Sequence, residues 1–356
     1  MNTEKFSADT QMEHPTLKSI RVRSTRGSRR FLLAAALILN AQLASSADTN
    51  SPKRKQLERS LEQAVYGFPA RVGVCAIDVA GASCVNGNQA FSLQSVMKLV
   101  VSLATLDAVD ARELKLDDRV VVHRQDLSLY VQPLAQLVGP QGFQTTVGDL
   151  IHRAIVDSDS AAGDILIRRL GGPQQIQSFL DRKGIKGVRF DRDERHLQTE
   201  IVGLTWRPEY VDAHTLEAAI AGVPAQRRTD AYREYQSDLR DTATPVGTAL
   251  LLQRLACGML LSPASTRYAL DTMAQTVTFP DRLKAGVPRN WAIMHKTGTS
   301  GSWKGVTAAT NDVGILKSPD GKYISVAVFI ADTRASPEMR SHLMQMIASL
   351  VTANLQ

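Results

Sequence analysis

The sequence predicts an α/β fold in which strands from both ends of the chain share one sheet and the middle is helical. Apolar segments of strand length lie near both ends, at residues 72–78, 291–296, 312–316 and 323–330. The intervening chain carries helical periodicity instead. Terminal strands cannot bury their apolar faces separately, so they must meet in one sheet against which the helical middle packs.

Each element has a local signal. Residues 53–65 form a polar-faced helix, and the strand 72–78 continues after a turn at Val79-Ala80 into a second strand. The apolar helix at 99–109 has the pattern of a buried element. Gly171-Gly172-Pro173 ends a helix that starts near Ala161 and separates it from the next. The remaining predicted helices lie at residues 146–156, 174–182 and 337–355, the last of them amphipathic.

The first 47 residues have the pattern of a targeting peptide. A basic region ends at Arg29-Arg30, an apolar stretch follows at 31–39, and Ser45 and Ala47 suit a small-x-small cleavage rule. An uncleaved membrane anchor is the alternative, but the apolar run is shorter than the roughly 20 residues that span a bilayer. The arginine pair partly resembles a twin-arginine signal. We therefore expect export to the periplasm or medium, without stable membrane insertion after processing.

The positive charge does not indicate nucleic-acid binding. Residues 1–47 hold seven basic and three acidic residues, so this segment accounts for +4 of the formal net charge of +7. The mild excess that remains is ordinary surface composition. We expect no nucleic-acid partner and a monomer.

The three cysteines suggest a disulfide and no metal site. A two-residue turn at Val79-Ala80 pairs Asp78 with Gly81 and therefore places Cys75 opposite Cys84. A cross-strand disulfide and two buried thiols remain open alternatives. Cys257 lies in an apolar run and is predicted to be a small buried residue. No Cys/His group has metal-ligand spacing, and we expect no cofactor.

Three short motifs carry chemistry. Ser95-Val-Met-Lys98 opens the buried helix, where positions i and i+3 share a face, so that the hydroxyl has a base partner. Ser158-Asp159-Ser160 precedes a helix and taken alone would be a simple N-cap. His295-Lys296-Thr297-Gly298-Thr299 follows a strand, and taken alone its lysine is an edge-strand residue before a glycine turn. Each motif is weak by itself, and their order and separation give the set its weight.

Together the motifs resemble the penicillin-recognising serine hydrolases, and most closely the class A serine β-lactamases of subclass A2. The resemblance runs from about Arg71 to the end. It implies a β-lactamase/transpeptidase-like α/β fold, with an antiparallel five-stranded sheet flanked by helices and an all-α domain. The implied organisation is a targeting peptide at 1–47, an α/β domain from 48–92 and 283–356, and an all-α domain at 93–282 with an extended omega loop at 190–245.

The resemblance also implies roles for individual residues. Ser95 is the nucleophile, Lys98 and Glu194 are the alternative acylation bases, and Glu194 activates the deacylating water. Ser158 relays a proton beside Lys296, and the backbone N–H groups of Ser95 and Thr299 form an oxyanion hole. The residues expected to bind substrate are Tyr130, Ser160, Gln198, Arg282, Thr297, Gly298 and Thr299, with Lys304 as a substitute for Arg282 at the substrate carboxylate.

The sequence departs from the family pattern at three places. Ser160 replaces the usual Asn, and Gln198 replaces the Asn that helps to hold the deacylating water. Arg192 and Asp241 match the pair that closes the omega loop, but residues 199–236 between them look like an insertion with a short helix at 212–221. The insertion either reshapes the rim of the site or only decorates the surface.

Three functions are compatible with these motifs. The first is a β-lactamase that opens β-lactam antibiotics through an acyl-enzyme. The second is a D,D-peptidase that β-lactams acylate but that releases them slowly, and the third is a non-enzymatic β-lactam sensor. Glu194 favours the first, because a deacylating base separates a β-lactamase from a peptidase.

Overall fold

The computed structural model describes residues 52–355, so the predicted targeting peptide lies outside the described residues. The helices are α1 (Pro52–Val65), α2 (Met97–Asp110), α3 (Val147–Val156), α4 (Ser160–Arg169), α5 (Pro173–Arg182), α6 (Glu194–Ile201), α7 (Ala213–Gly222), α8 (Ala225–Ser237), α9 (Pro245–Ala256), α10 (Pro263–Met273), α11 (Leu283–Gly286) and α12 (Pro337–Asn354). The strands are β1 (Arg71–Asp78), β2 (Gly81–Val85), β3 (Phe91–Ser92), β4 (Arg119–Val122), β5 (Phe143–Thr146), β6 (Thr242–Ala243), β7 (Ala292–Thr299), β8 (Ser302–Trp303), β9 (Val306–Lys317) and β10 (Tyr323–Thr333).

The main sheet joins the two ends of the chain, as the sequence predicts. Its strands lie in the order β2-β1-β10-β9-β7 and all neighbours are antiparallel. Arg71 of β1 lies opposite Ala331 of β10. The sheet has one strand more than predicted, because the chain turns back after β7 and the two-residue strand β8 pairs with β9.

The two faces of this sheet are buried against different helices. In β1, Val72, Val74 and Ala76 pack into a cluster with residues of α1 and α12. Cys75 and Ile77 face the other side and join the larger cluster, which contains the central helix α2. This alternation is the period of two expected for a strand buried on both faces. Helix α2 is apolar around most of its circumference, which explains why it can lie in the middle of the helical region.

The first two cysteines are joined by a disulfide, and the third departs from its prediction. Asp78 pairs with Gly81 and Cys75 with Cys84, as the proposed turn requires, and the two sulfurs are bonded. Cys257 is exposed rather than buried. It is the C-cap residue of α9, so it lies where the helix ends and is not part of the buried apolar face of that helix.

The insertion in the omega loop forms two helices. Helix α7 coincides with the predicted short helix and is capped by Asp212, whose side chain accepts a hydrogen bond from the Thr215 N–H at 2.9 Å. Helix α8 follows directly and was not predicted. Leu216 of α7 packs with Tyr210 and Leu129 in a small cluster apart from the main core. Within residues 52–355, no helix is long and apolar enough to cross a membrane.

Candidate active site

Ser95 lies in a short 3-10 turn, Gln94–Val96, that leads into the central helix α2. Lys98 is in the first turn of that helix, and its Nζ lies 2.9 Å from Ser95 Oγ. The i, i+3 spacing of the motif thus brings the hydroxyl and the amine into contact. The turn is fixed from behind by Asn311 of β9, whose Nδ2 donates to the carbonyls of Ser92 and Leu93 at 2.8 and 3.0 Å.

The amine of Lys98 connects three of the predicted site residues. Its side chain is 2% exposed. Besides Ser95, Nζ donates to Ser160 Oγ at 3.1 Å and lies 3.4 Å from Glu194 Oε2. A buried ammonium needs such partners to offset its desolvation. Lys98 therefore joins the serine to the predicted deacylating carboxylate.

Glu194 is the first residue of helix α6, whose N-cap is Asp193. Its Oε1 accepts from Gln198 Nε2 at 3.0 Å, one turn further along the same helix. The same Nε2 donates to Gln94 Oε1 at 3.0 Å. The longer Gln198 side chain, in place of the family's Asn, thus ties the carboxylate to the residue before Ser95.

Asp164 of helix α4 binds the backbone of Glu194, a role that no motif in the sequence predicts. Its Oδ1 accepts from the Glu194 N–H at 2.9 Å, and its Oδ2 accepts from Ser128 Oγ at 2.6 Å. Complete burial, together with the charge of nearby Asp193, raises the pKa of Asp164 to about 7. The charge of Arg195 is 3.8 Å from Oδ2. Asp164 therefore holds the backbone at Glu194 with a buried carboxyl group.

We expect Asp164→Asn to flatten the dependence of stability on pH. The folded-state pKa is raised above the unfolded value of about 3.9, so the stabilisation is fully present below pH 4 and is lost as pH rises through 7. Over this pH range, the contribution of Asp164 to the free energy of unfolding of the wild-type protein should fall by on the order of 2–4 kcal/mol. Asn keeps the acceptor for the Glu194 N–H but cannot ionise. Urea unfolding between pH 4 and 8 measures the difference, and equal slopes for both proteins would contradict it.

A buried ion pair closes the omega loop. Asp241 Oδ2 lies 2.7 Å from Arg192 Nε, and Oδ1 accepts from the N–H groups of Asp191 and Arg192 at 2.7 and 2.9 Å. Arg192 also contacts Glu200 and Asp238. The resemblance implied the Arg192–Asp241 pair, and it forms across the inserted segment. It anchors the chain two residues before Glu194.

Strand β7 brings the third motif to the same place. Lys296 is fully buried, and its Nζ donates to Ser158 Oγ at 2.8 Å and to the Thr297 carbonyl at 2.9 Å. Burial, and then the charge of Lys98, holds the pKa of Lys296 well below its usual range. Ser158 has a positive φ of 60°, an uncommon backbone conformation that turns the chain just before helix α4.

Gly298 allows β7 to pack against the turn that holds Ser95. A Cβ at this position would lie 2.8 Å from the Leu93 carbonyl oxygen and 3.2 Å from the Ser95 nitrogen. Only glycine leaves room for this approach. The backbone at Gly298, next to Thr299, therefore lies close to the Ser95 N–H.

Two predicted substrate-binding residues lie behind the cavity surface. Arg282 is buried, and its Nη2 donates to Thr299 Oγ1 at 2.7 Å, so it reaches the cavity through that hydroxyl. Thr297 Oγ1 pairs with Thr278 Oγ1 at 2.6 Å and is not in the cavity wall. In this structure Thr297 and Arg282 contact protein groups, and their binding of substrate stays a prediction. Lys304 is exposed beside Trp303 and does not line the cavity either.

The cavity above Ser95 has a volume of about 440 Å³. Six of the predicted site residues line it: Ser95, Tyr130, Ser160, Glu194, Gln198 and Thr299. Tyr130 lies at its edge with a positive φ of 57° and 54% of its side chain exposed. Lys98, Ser158 and Lys296 lie beneath this surface. Within residues 52–355, no group of three or more His, Cys, Asp or Glu side chains is placed to hold a metal ion.

The inserted helices form one wall of this cavity, so the insertion reshapes the site. Ile220, Arg228 and Tyr232 line it beside Trp303 of β8. Tyr232 OH accepts from the Ala308 N–H at 2.9 Å and donates towards the carbonyls of Gly301 and Val306 at 3.0 and 2.9 Å. These bonds attach α8 to the β7–β9 connection.

A second tyrosine connects the insertion to the catalytic turn. Tyr235 OH donates to Ser92 Oγ at 2.8 Å and accepts from Gln94 Nε2. Through Gln94 and Gln198 the contacts continue to Glu194. Nothing local in the sequence signals Gln94, Tyr232 or Tyr235 as site residues, because their roles depend on long-range packing.

Comparisons with known proteins agree with this arrangement. The model of the "Beta-lactamase enzyme family" matches residues 55–355. VEB-1 β-lactamase of Pseudomonas aeruginosa is 26% identical over 90% of this chain and 96% of its own. The extended-spectrum β-lactamase PER-1 of the same organism is 30% identical over 85% of this chain and 88% of its own.

Solved structures show the same fold. TLA-3 extended-spectrum β-lactamase superposes with a TM-score of 0.70 at 26% identity, covering 85% of this chain and 99% of that one. A class A β-lactamase from Bacteroides cellulosilyticus has a TM-score of 0.70 at 23% identity, over 86% of this chain and 99% of that one. The fold predicted from the sequence is confirmed. The chain belongs to the β-lactamase enzyme family and is a serine β-lactamase of class A.

Proposed function

We propose that this chain hydrolyses β-lactams through an acyl-enzyme on Ser95 that water, activated by Glu194, releases. The observation that carries the proposal is the contact of Lys98 Nζ with both Ser95 Oγ and Glu194 Oε2, at 2.9 and 3.4 Å. One buried amine thus links the nucleophile to the carboxylate that completes turnover. β-Lactam hydrolysis itself follows from the family.

In the acylation step, Ser95 Oγ attacks the lactam carbonyl as its proton leaves to a base. Lys98 is in direct contact, and Glu194 can act through an intervening water, so both bases fit the geometry. The oxyanion that forms is stabilised by the N–H groups of Ser95 and Thr299, each worth roughly 100- to 1000-fold in rate. The C–N bond then breaks, and Ser158, held by Lys296, relays the proton that the base took from Ser95 to the lactam nitrogen, so that Ser158 ends the step as a hydroxyl.

In the deacylation step, Glu194 takes a proton from water as the water oxygen attacks the ester carbonyl. The Ser95 Oγ–acyl bond breaks, Ser95 recovers its proton, and the ring-opened acid leaves. Gln198 holds Glu194 at Oε1, which leaves Oε2 to face Lys98. The carboxylate of the substrate ring fits the Thr299 hydroxyl, which buried Arg282 orients.

The first experiment is stopped-flow and steady-state kinetics with a chromogenic cephalosporin, with mass spectrometry of the protein. Rapid multiple turnover that Ser95→Ala abolishes supports the proposal. A single-equivalent burst with a lasting adduct on Ser95, together with cleavage of an acyl-D-Ala-D-Ala peptide, would instead identify a D,D-peptidase.

The same proposal includes export and a monomeric state. Export rests on the basic and apolar pattern of residues 1–47. Fractionation of cells that express the full chain, with N-terminal sequencing of the product, tests cleavage after Ala47. Light scattering of the processed protein tests the monomer.

We expect Ser160→Asn to raise the turnover of penicillins. Ser160 Oγ is 3.1 Å from Lys98 Nζ and lines the cavity, but a hydroxyl cannot contact both the lysine and a substrate carbonyl as an amide can. Restoring one hydrogen bond is worth about 1–3 kcal/mol. Steady-state kcat/KM for a penicillin measures the gain. Ser160→Ala serves as the opposite control and should lower it, and an unchanged or lower value for Ser160→Asn would count against this role.

A further inference from the structure

The side chain of Arg228, in the inserted helix α8, has an unused charge at the cavity wall. Arg228 lines the cavity, and its guanidinium lies over the Trp303 ring at 4.0 Å. Within residues 52–355, its side chain makes no hydrogen bond or ion pair, and its Nε is buried without a partner. An arginine has five donors, so this one has capacity for an acceptor.

Other arginines around the site are committed to protein groups. Arg192 pairs with Asp241, Arg195 donates to the Leu127 carbonyl, and Arg282 donates to Thr299. The one carboxylate in the cavity lining is Glu194, which already contacts Gln198 and Lys98. Arg228 is therefore not neutralised by a carboxylate of the cavity wall. The positive electrostatic potential of Arg228 therefore acts on any ligand in the cavity.

Trp303 holds Arg228 beside the cavity. The guanidinium carbon lies 4.0 Å from the indole centroid, and Trp303 is itself fixed by a 3.1 Å hydrogen bond from its Nε1 to Thr229 Oγ1. The N–H groups of a guanidinium match a carboxylate, which can accept two parallel hydrogen bonds.

The position in the cavity indicates which part of a substrate meets Arg228. Ser95, Ser160 and Thr299 lie where the lactam reacts, and the ring carboxylate is assigned to Thr299. Arg228 lies with Ile220 and Tyr232 on the wall made by the insertion, next to Trp303 of β8. We propose that Arg228 selects β-lactams whose acyl side chain carries a carboxylate. This inference rests on the proposed function, because it assumes that the lactam lies over Ser95.

The test compares three penicillins that share one ring system and differ at one side-chain carbon: benzylpenicillin, α-carboxybenzylpenicillin and α-aminobenzylpenicillin. The wild-type protein should favour the carboxylated compound over the neutral one, and the ammonium compound least. Arg228→Gln should lower the ratio of kcat/KM for the carboxylated to the neutral penicillin about tenfold, the size of one charge-assisted hydrogen bond. Most of that loss should appear in KM. Arg228→Lys should keep part of the preference, and raised salt should weaken it in the wild type.

Arg227→Gln is the matched control, because it removes the same charge from the neighbouring residue. The side chain of Arg227 is exposed and does not line the cavity. It should leave the ratio unchanged. Equal losses for both penicillins in Arg228→Gln would overturn the proposal and assign Arg228 to the ring carboxylate or to the shape of the cavity. An unchanged ratio would overturn it as well.

Binding measured in a Ser95→Ala background separates this inference from the proposed function. Calorimetry of Ser95→Ala and of Ser95→Ala with Arg228→Gln gives the Kd of the carboxylated and neutral penicillins without turnover. A tenfold loss restricted to the carboxylated compound supports the inference, even if the wild-type protein failed to turn either compound over. Equal Kd values for the two compounds in Ser95→Ala would overturn it, even if turnover were fast.

Discussion

Replacing Glu194 by Gln should convert the protein into one that stops at the acyl-enzyme. The carboxylate is buried in the cavity wall, with Oε1 bound to Gln198 and Oε2 facing Lys98 at 3.4 Å. Gln keeps the shape and the hydrogen-bonding capacity but cannot take a proton from water. Loss of a general base costs about 100- to 10,000-fold in the step it serves. We therefore expect a burst of one equivalent of product and a persistent adduct on Ser95.

The matched control is Glu200→Gln, on the same helix. Glu200 is itself partly exposed, pairs with the buried Arg192 and with the exposed Arg240, and does not line the cavity. Its turnover should stay within a few-fold of wild type. Stopped-flow absorbance and intact-protein mass spectrometry give the burst and the adduct together. Fast multiple turnover by Glu194→Gln would show that another group activates the water. Loss of the burst itself would make Glu194 the base for acylation too.

The fold was predictable because it depends on patterns that are local in sequence. Strand-length apolar segments at both ends, the buried pattern of α2 and the Gly171-Gly172-Pro173 break are read directly from the chain. The pairing of β1 with β10 follows from the need to bury both ends in one sheet. Strand β8 was missed because two residues are too few to show a period. Cys257 was misplaced because an apolar neighbourhood in sequence does not show where a helix ends.

The site was predictable only where a motif carries it. Ser95, Lys98, Glu194 and Lys296 could be named from spacing and resemblance, and the structure places them together. Asp164 could not be, since its effect on Glu194 passes through a backbone N–H 30 positions away. Tyr232, Tyr235 and Arg228 also contact residues that are far from them in the sequence. They come from an insertion whose packing has no counterpart in the motif set, so only the folded chain shows them at the cavity.

For Thr297 and Arg282, the resemblance predicts where each residue lies in the chain but not which protein groups its side chain contacts. Both residues are in the expected segments, but their side chains bond Thr278 and Thr299 instead of facing the cavity. A motif fixes the position of a residue along a strand. It does not fix which neighbour the side chain contacts, because that depends on residues outside the motif. The structure shows the guanidinium of Arg282 bonded to the Thr299 hydroxyl, and its action on a substrate carboxylate stays a prediction.

Asp241→Asn should destabilise the protein and slow deacylation together. Asp241 is fully buried, and its carboxylate accepts three hydrogen bonds from Asp191 and Arg192. Asn is tolerated at the positive φ of 53° found here, so the substitution tests charge and not backbone strain. Its amide can replace one oxygen but turns a donor towards Arg192 Nε. Leaving that buried charge without its partner should cost about 3 kcal/mol, because Glu200 and Asp238 compensate only in part.

A loss of this size in a chain this long lowers Tm by about 4–6 °C. Because Arg192 is two residues from Glu194, deacylation should slow more than acylation, which single-turnover kinetics can separate. Arg189→Ala is the control: it breaks the exposed Arg189–Asp191 pair in the same loop, and exposed pairs contribute well under 1 kcal/mol. If Asp241→Asn and Arg189→Ala had equal stability, the Arg192–Asp241 pair would contribute no more to the free energy of unfolding than an exposed ion pair does. If Asp241→Asn lost stability but deacylated normally, the anchor would not position Glu194. Both effects together would show that closure of the loop holds the base over Ser95.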